Sequence, residues 1–233
     1  MRLSGLLSVC LLAAAPLAAQ NSQPSLENDQ VILNAPHPNV DVPGASHKMH
    51  DHKLNRVMVY LHPGGEVLHY GDGKVVDLKW KQGEVKWSPA SGPHYSVVPP
   101  ELDPRVWKKA AFTGPMLVDI GIKKPGNPAK VVIGPLDGLK VDPKDFKLEL
   151  ENDQVRVIRF TLAPHAAVPA YQEPLNSLEV CITDGNIRVT LPDGKTIGVQ
   201  HKVGDFAWHT PSKVKLENLG DQPFEAVFVE FKN

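Results

Sequence analysis

Residues 26–31 read LENDQV, and the same six residues return at 150–155. Further identities follow at a fixed spacing of 121 residues: Pro43 and Pro164, Val59 and Val180, Gly64 and Gly185, Gly83 and Gly204, Trp87 and Trp208. The opening block is spaced by 124 residues instead, which requires one short insertion or deletion. A period of this length is too long for a solenoid unit, so the chain is a duplication in which each copy forms a domain.

Each copy consists of short apolar runs separated by turn residues. The 22 prolines and 18 glycines are scattered between these runs, a distribution typical of many short strands. The apolar–polar alternation at 187–191 (IRVTL) predicts a half-buried antiparallel strand. Asp-Gly pairs at 72–73 and 193–194 predict turns, because glycine accepts a positive φ without a Cβ clash. We therefore expect an all-β protein of two barrels or sandwiches.

Residues 1–19 have the features of a signal peptide. Arg2 supplies a positive charge, residues 6–17 are apolar, and small residues precede the polar Gln20. The apolar run is too short to predict a membrane span, so we expect a secreted or periplasmic protein with no stable span after cleavage. The rest of the chain divides into a first barrel at 20–123, a linker at 124–144 and a second barrel at 145–233.

The charge balance and the cysteine content limit which partners and which disulfides are expected. The chain has 25 Lys and Arg against 26 Asp and Glu, with no basic run, so no nucleic-acid partner is expected. Cleavage after residue 19 would remove Cys10 and leave Cys181 without an intramolecular disulfide partner. Cys181 lies in an apolar run and is predicted to be a small buried side chain.

Six of the ten histidines lie between residues 47 and 94, in the first copy. His50 and His52 are two residues apart, so in a strand both imidazoles point to the same face. Two such rings supply half of a tetrahedral metal site, and His94 is the best candidate for a third ligand. In the second copy the repeat places Tyr171 at the first of these positions, Glu173 at the second and Lys215, or Val214, at the third. That copy therefore cannot form a three-histidine site, and Glu173 and Lys215 could form an internal ion pair there.

These residues resemble the two motifs of the cupin superfamily. Gly44, His50-Asp51-His52 and Gly64 fit the first motif, and Gly83, Pro89 and His94 fit the second, with Gly92 displaced by one residue. The resemblance implies two tandem cupin (double-stranded β-helix, or jelly-roll) barrels of the cupin-2 type. It also implies that the first barrel binds a divalent metal ion (iron, manganese, zinc, nickel or copper) and that the second barrel has a degenerate site.

The sequence departs from the motif at one ligand. The usual glutamate falls at Arg56 or Val57, and neither side chain ligates a metal, which leaves the ligand set His50, His52 and His94. Three-histidine sites of this superfamily resemble those of thiol and β-diketone dioxygenases. Three neutral imidazoles leave a positive centre suited to an anionic bidentate substrate and O₂.

Two residues are candidates for a catalytic role beside the metal. Arg56, if it points inward, can pair with a substrate carboxylate, and Tyr95 can line the pocket. The hypothesis favoured by the sequence is an exported metal-dependent enzyme, of oxygenase type, that acts on a small polar molecule. An isomerase is an alternative and would need a general base from His47 or Tyr95.

A non-catalytic cupin that binds a small molecule or serves a structural role is the other alternative, because one fold carries many functions. An inward Arg56 and a pocket lined by Tyr95 would favour catalysis. A pocket filled by Met58 and Tyr60 would favour a structural role. Cupins often pair through their sheets, so a homodimer is one possible assembly.

Overall fold

The computed structural model describes residues 25–34, 48–102 and 117–233. Within these ranges the chain forms eighteen strands and three short helical turns. The predicted signal peptide, residues 1–19, lies outside the described residues, as do Gly44 and His47. In the ranges described, no helix has the length and apolar character needed to cross a membrane.

The strands divide evenly between the two copies. The first copy contributes β1 (Leu26–Glu27), β2 (Val31–Asn34), β3 (His50–His52), β4 (Asn55–Tyr60), β5 (Gly64–Tyr70), β6 (Val75–Trp80), β7 (Val85–Ser88), β8 (Ser91–Val97) and β9 (Leu117–Ile122). The second contributes β10 (Phe146–Glu151), β11 (Val155–Leu162), β12 (Tyr171–Glu173), β13 (Ser177–Cys181), β14 (Gly185–Thr190), β15 (Thr196–His201), β16 (Phe206–His209), β17 (Ser212–Asn218) and β18 (Phe224–Phe231). The helical turns are Pro100–Leu102, Pro128–Lys130 and α1 (Gly138–Val141).

Each copy folds into two antiparallel sheets, and the strand order is the same in both. The five-stranded sheets have the orders β1-β2-β9-β4-β7 and β10-β11-β18-β13-β16. The four-stranded sheets have the orders β3-β8-β5-β6 and β12-β17-β14-β15. Every strand of the second copy takes the place of the strand nine positions earlier, so the predicted all-β tandem fold is confirmed.

The two five-stranded sheets pack against each other and form the core that joins the barrels. Each copy contributes eight apolar side chains that are at most 3% exposed: Val31, Leu33, Val57, Val59, Leu61, Val118, Ile120 and Ile122 from the first, and Val155, Val157, Leu178, Val180, Ile182, Val227, Val229 and Phe231 from the second. Alternate residues of a strand point to opposite faces, so the other face of each sheet forms the interior wall of its own barrel. The central strands of these sheets, such as β11, are therefore largely buried on both faces, whereas the edge strand β10 keeps exposed residues.

The segment predicted as a linker is partly folded onto the second barrel. Asp137 begins α1, and its side chain accepts a hydrogen bond from the backbone N–H of Leu139. The same carboxylate pairs with Arg156 at 3.1 Å, and both side chains are at most 5% exposed. The end of the linker is thus tied to β11 by a buried ion pair.

The recurring LENDQV block forms the turn between the first two strands of each copy. Asn28 Oδ1 accepts hydrogen bonds from the backbone N–H groups of Gln30 (2.8 Å) and Val31 (2.9 Å). Asn152 Oδ1 makes the same two bonds in the second copy, at 2.8 and 3.0 Å. An asparagine side chain that binds the backbone two and three residues ahead stabilises a tight turn, which explains one conserved position of the block.

The glutamine of the same block joins the barrels. Asn55 donates from Nδ2 to Gln154 Oε1 at 2.6 Å, and Asn176 donates from Nδ2 to Gln30 Oε1 at 2.7 Å. Asn55 and Asn176 are themselves equivalent in the repeat, so the two bonds form a symmetric pair across the junction. Gln30 is 6% exposed, so its oxygen depends on this protein partner rather than on water.

We predict that Asn176→Ala lowers the free energy of unfolding by about 1–2 kcal/mol, because it leaves the buried Gln30 oxygen unpaired. The matched control is Gln200→Ala, at an exposed position of β15, which should change stability by no more than about 0.5 kcal/mol. Urea unfolding of the three proteins measures the difference. Equal unfolding free energies for all three would show that the junction bond contributes nothing.

Candidate metal centre

The pairing of β3 with β8 brings the three predicted histidine ligands together. His50 lies directly opposite His94 in the ladder, and His52 follows two residues later on the same face. The ring centroids are 4.8 Å (His50–His94), 4.9 Å (His50–His52) and 5.1 Å (His52–His94) apart. The candidate ligand atoms all lie within 4.8 Å of one another. The three imidazoles thus form a nearly equilateral triangle that can converge on one ion.

Backbone carbonyls orient two of these rings. His50 Nδ1 lies 2.8 Å from the Lys48 carbonyl oxygen, and His94 Nδ1 lies 2.9 Å from that of Gly92. A carbonyl only accepts hydrogen bonds, so each Nδ1 carries the proton and Nε2 is the ring nitrogen of each that can bind a metal. Metal-binding histidines in proteins are held in the same way.

The third ring is in the protonation state that binds metal. Burial lowers the pKa of His52 from its usual value to about 4, and the neighbouring Arg56, His50 and His94 add to the effect. His52 is therefore neutral at pH 7, and a cation does not have to displace a proton from it.

The residues present fit a divalent transition-metal ion. Three neutral imidazoles suit zinc, copper, iron and nickel, and they leave further coordination positions open. Among the described residues, no carboxylate joins this ligand set, in agreement with the missing glutamate of the motif. An ion held here would keep its full double positive charge within the ligand set.

The histidine triangle opens into a cavity of about 420 Å³ inside the first barrel. Its wall combines apolar side chains with charged ones. The charged residues of the lining are Arg56, Glu66, Lys74, Lys86 and Asp119, and the apolar and aromatic residues include Met58, Tyr60, Leu68, Tyr70, Val76 and Leu78. A volume of this size accommodates a small organic molecule beside the histidines.

Arg56 points into this cavity, which settles the orientation that the sequence left open. Its Nη1 donates to Asp119 Oδ2 at 2.9 Å, and its Nη2 donates to Ser88 Oγ at 2.9 Å. Arg56 Nε and Asp119 Oδ1 are both buried and have no hydrogen-bond partner within the described part of the chain. Burial raises the pKa of Asp119, and the neighbouring Arg56 opposes that shift. A donor and an acceptor are thus available at this pair for a bound molecule.

Asp119 was missed by the sequence reasoning, although a signal was present. It is the single charged residue in β9, Leu117–Ile122, where Val118, Ile120 and Ile122 face the core between the barrels. A charge on the alternate face of such a strand must be paired or must line a cavity. Its partner, Arg56, is 63 residues away, so only the fold reveals the pair.

The prediction that Tyr95 lines the pocket is wrong. His94 and Ser96 line the cavity, and Tyr95 between them points to the other face of β8. There its ring stacks on His69, with centroids 4.7 Å apart and planes 5° from parallel. The physical reason is the alternation of side chains along a strand, which places neighbours of an inward residue outside.

The second barrel does not form the corresponding site, and the ladder decides between the two residues that the repeat offered at its third position. Tyr171 pairs with Val214 in the ladder, as His50 pairs with His94, so Val214 and not Lys215 takes the third ligand position. Lys215 is exposed, and no ion pair with Glu173 forms. Glu173 instead accepts hydrogen bonds from the Tyr171 and Ser212 hydroxyls, both at 3.2 Å.

A bulge explains the change of spacing. In the first barrel the register shifts between His50 and His52, because β8 has one extra residue between Ser91 and His94. The corresponding ladder of β12 and β17 has no such shift. A bulge adds a residue to one strand and re-aims the side chains beside it, so the repeat spacing changes at the ligand position.

Comparison with models of protein families finds no match, and comparison with curated proteins finds none either. Solved structures do match. AerE from Microcystis aeruginosa is similar over 88% of this chain and 89% of its own, with 12% identity and a TM-score of 0.52. A variant of the oxalate decarboxylase of Bacillus subtilis is similar over 87% of this chain and 68% of its own, with 13% identity and a TM-score of 0.50.

A cupin domain from Bordetella pertussis also matches, over 38% of this chain and 92% of its own, with 19% identity and a TM-score of 0.36. At these identities the likeness concerns the fold. The likeness to AerE and to the oxalate decarboxylase variant agrees with the repeated strand order of the two copies. The chain therefore has the fold of two tandem cupin (jelly-roll) barrels.

Proposed function

We propose that the first barrel is a metal-dependent active site for a small anionic molecule, with an oxygenase as the favoured reaction class. The observation that carries the proposal is the position of Arg56. It stands where the cupin motif places a carboxylate ligand, and its guanidinium group lies in the same cavity as the three histidines. A ligand that would neutralise the metal is thus replaced by a second positive charge.

The charge of the site favours an anionic substrate. Three imidazoles contribute no negative charge, so a divalent ion attracts a carboxylate of the substrate as its remaining ligand. Arg56 is planar and presents several donors, which match a carboxylate in two-point contact. Asp119 holds one edge of the guanidinium at 2.9 Å, so this carboxylate orients Arg56 rather than the substrate.

A divalent ion at the histidine triangle would supply Lewis acidity and, if redox-active, electron transfer to O₂. The chain's own residues would bind the ion and orient the substrate. His50, His52 and His94 hold the ion, and Arg56 orients the substrate. Leu68 and Leu78 give the cavity an apolar wall beside these polar groups.

Three alternative functions remain to be compared with this proposal: a structural role, an isomerase and a non-catalytic binder. Met58 and Tyr60 line the cavity, yet about 420 Å³ remains open, which supports a binding site over a purely structural role. For an isomerase, Tyr95 lies on the wrong face to act as base, and His47 lies outside the described residues. A non-catalytic binder would use the same residues, so the experiments below include a test of turnover.

We predict that His94→Ala loses one equivalent of bound divalent metal relative to the wild type, because two imidazoles hold an ion far more weakly than three. His69→Ala is the matched control, since His69 stacks on Tyr95 outside the cavity and should leave the metal content unchanged. Elemental analysis of proteins purified without a histidine tag measures the difference. Equal metal content in all three proteins would contradict the metal site.

We predict that Arg56→Gln weakens binding of small carboxylates to the metal-loaded protein about 10- to 100-fold, the loss of one hydrogen-bonded charge contact. Titration calorimetry with oxalate and other small mono- and dicarboxylates gives the affinities. Arg188→Gln is the control, because Arg188 pairs with Glu217 on the second barrel. Oxygen uptake by the iron-loaded protein with each bound carboxylate then tests turnover, and equal affinities for both variants would refute the role of Arg56.

We propose further that the protein is exported. The charged start, the apolar run at 6–17 and the small residues before Gln20 support cleavage after residue 19. Sequencing the N-terminus of the mature protein should then give Gln20 or a neighbour as the first residue. A protein that still begins at Met1 in the native host would contradict export by this route.

A further inference from the structure

The interior of the second barrel contains a different group of metal-binding side chains. Glu179 and Cys181 of β13 and His201 of β15 offer a carboxylate oxygen, a sulfur and a ring nitrogen that all lie within 4.8 Å of one another. Glu179 and His201 line a cavity of about 170 Å³ whose remaining wall is mainly apolar. The cluster is separate from the histidine triangle, which lies in the other barrel.

Strand periodicity explains why these residues meet. Glu179 and Cys181 are two residues apart on β13 and share its inward face, whereas Val180 between them faces the core between the barrels. His201 ends β15 in the four-stranded sheet across the barrel. The equivalent positions of the first barrel hold Met58, Tyr60 and Trp80, so the cluster belongs to the second copy alone.

The distances suit tetrahedral coordination. Cys181 Sγ and His201 Nδ1 are 3.3 Å apart. An ion with bonds of about 2.3 Å to sulfur and about 2.0–2.1 Å to nitrogen, at a tetrahedral angle, holds those atoms about 3.6 Å apart. The pair therefore needs little movement to hold an ion between its two atoms.

The carboxylate is oriented by another histidine. His209 Nε2 lies 3.0 Å from Glu179 Oε2, which leaves Glu179 Oε1 for another partner. A carboxylate ligand that accepts a hydrogen bond through its second oxygen is a common support of metal sites. Glu179 is 7% exposed and Cys181 is 1% exposed, so a cation would offset the cost of the buried negative charge.

We propose that the second barrel binds a thiophilic divalent cation of the zinc class through Glu179, Cys181 and His201. The donor set is one sulfur, one nitrogen and one oxygen, a combination that zinc and cobalt accept and that calcium and magnesium do not. Burial raises the pKa of Cys181, so the free thiol is protonated and its proton passes to solvent when the ion binds. The side chain of His209 is 31% exposed and marks the side from which an ion enters.

Cobalt(II) is the probe, because a cobalt–thiolate bond gives a charge-transfer absorption band that a site of imidazoles alone cannot give. The full-length protein is titrated after His50→Ala and His94→Ala have removed the first site. We expect about one equivalent of cobalt with a thiolate band, displaced by zinc. Cys181→Ser should abolish the band, and Thr196→Ser, the control at an exposed position of β15, should keep it.

Two further variants keep the test decisive if Cys181→Ser unfolds. His201→Gln removes a ligand and should eliminate most of the band. His209→Gln removes only the support of the carboxylate and should weaken cobalt binding about 10- to 100-fold with the band still present at saturation. Absence of a thiolate band in the background lacking the first site, or a band that survives both Cys181→Ser and His201→Gln, would overturn the proposal and leave a thiol–imidazole hydrogen bond at this position.

Discussion

The face-to-face packing of the two five-stranded sheets is the constraint on which the rest of the structure depends. The central strands of each sheet are largely buried on both faces, so each of them packs against the joint core on one face and against its own barrel interior on the other. On β4, Val57 and Val59 contribute to the core between the barrels, while Arg56 and Met58 line the cavity of the first barrel. A shift of one residue in this strand would place the arginine in the joint core and remove it from the site.

Both copies contribute equally to the shared core, so the side chains inside the two barrels can differ without changing that core. The second interior is filled by a cluster of buried side chains that includes Phe160, Phe224 and Phe228, and its cavity is about 170 Å³. The first interior keeps charged residues and a cavity of about 420 Å³. Burial of a large aromatic side chain stabilises a domain by roughly 1.5–3 kcal/mol, so the second barrel can stabilise a partner whose interior is polar and open.

The presence of Arg56 beside the histidine triangle has a structural consequence of its own. Burial lowers the pKa of His52 and the guanidinium group of Arg56 adds to that shift. Arg56 itself requires a counter-charge, which Asp119 supplies. The pair leaves Arg56 Nε and Asp119 Oδ1 without partners in the described residues, an arrangement that is costly unless something binds there. Similar folds at 12–13% identity do not specify what binds there, so the proposed substrate class rests on the chemistry of this chain's own residues.

The sequence by itself determined the duplication, the all-β class and the histidine triangle, because each depends on local periodicity or on identities that the repeat displays directly. The spacing of two residues between His50 and His52 was enough to place both rings on one face. Only the tertiary structure decided that Arg56 points inward to Asp119, that Tyr95 points outward, and that Val214 rather than Lys215 replaces the third histidine. These outcomes depend on which face of a strand meets which sheet and on one bulge in β8, and such register is set by contacts between residues far apart in the chain. The proximity of Cys181 and His201 has the same origin, since two strands of different sheets meet only when the barrel closes.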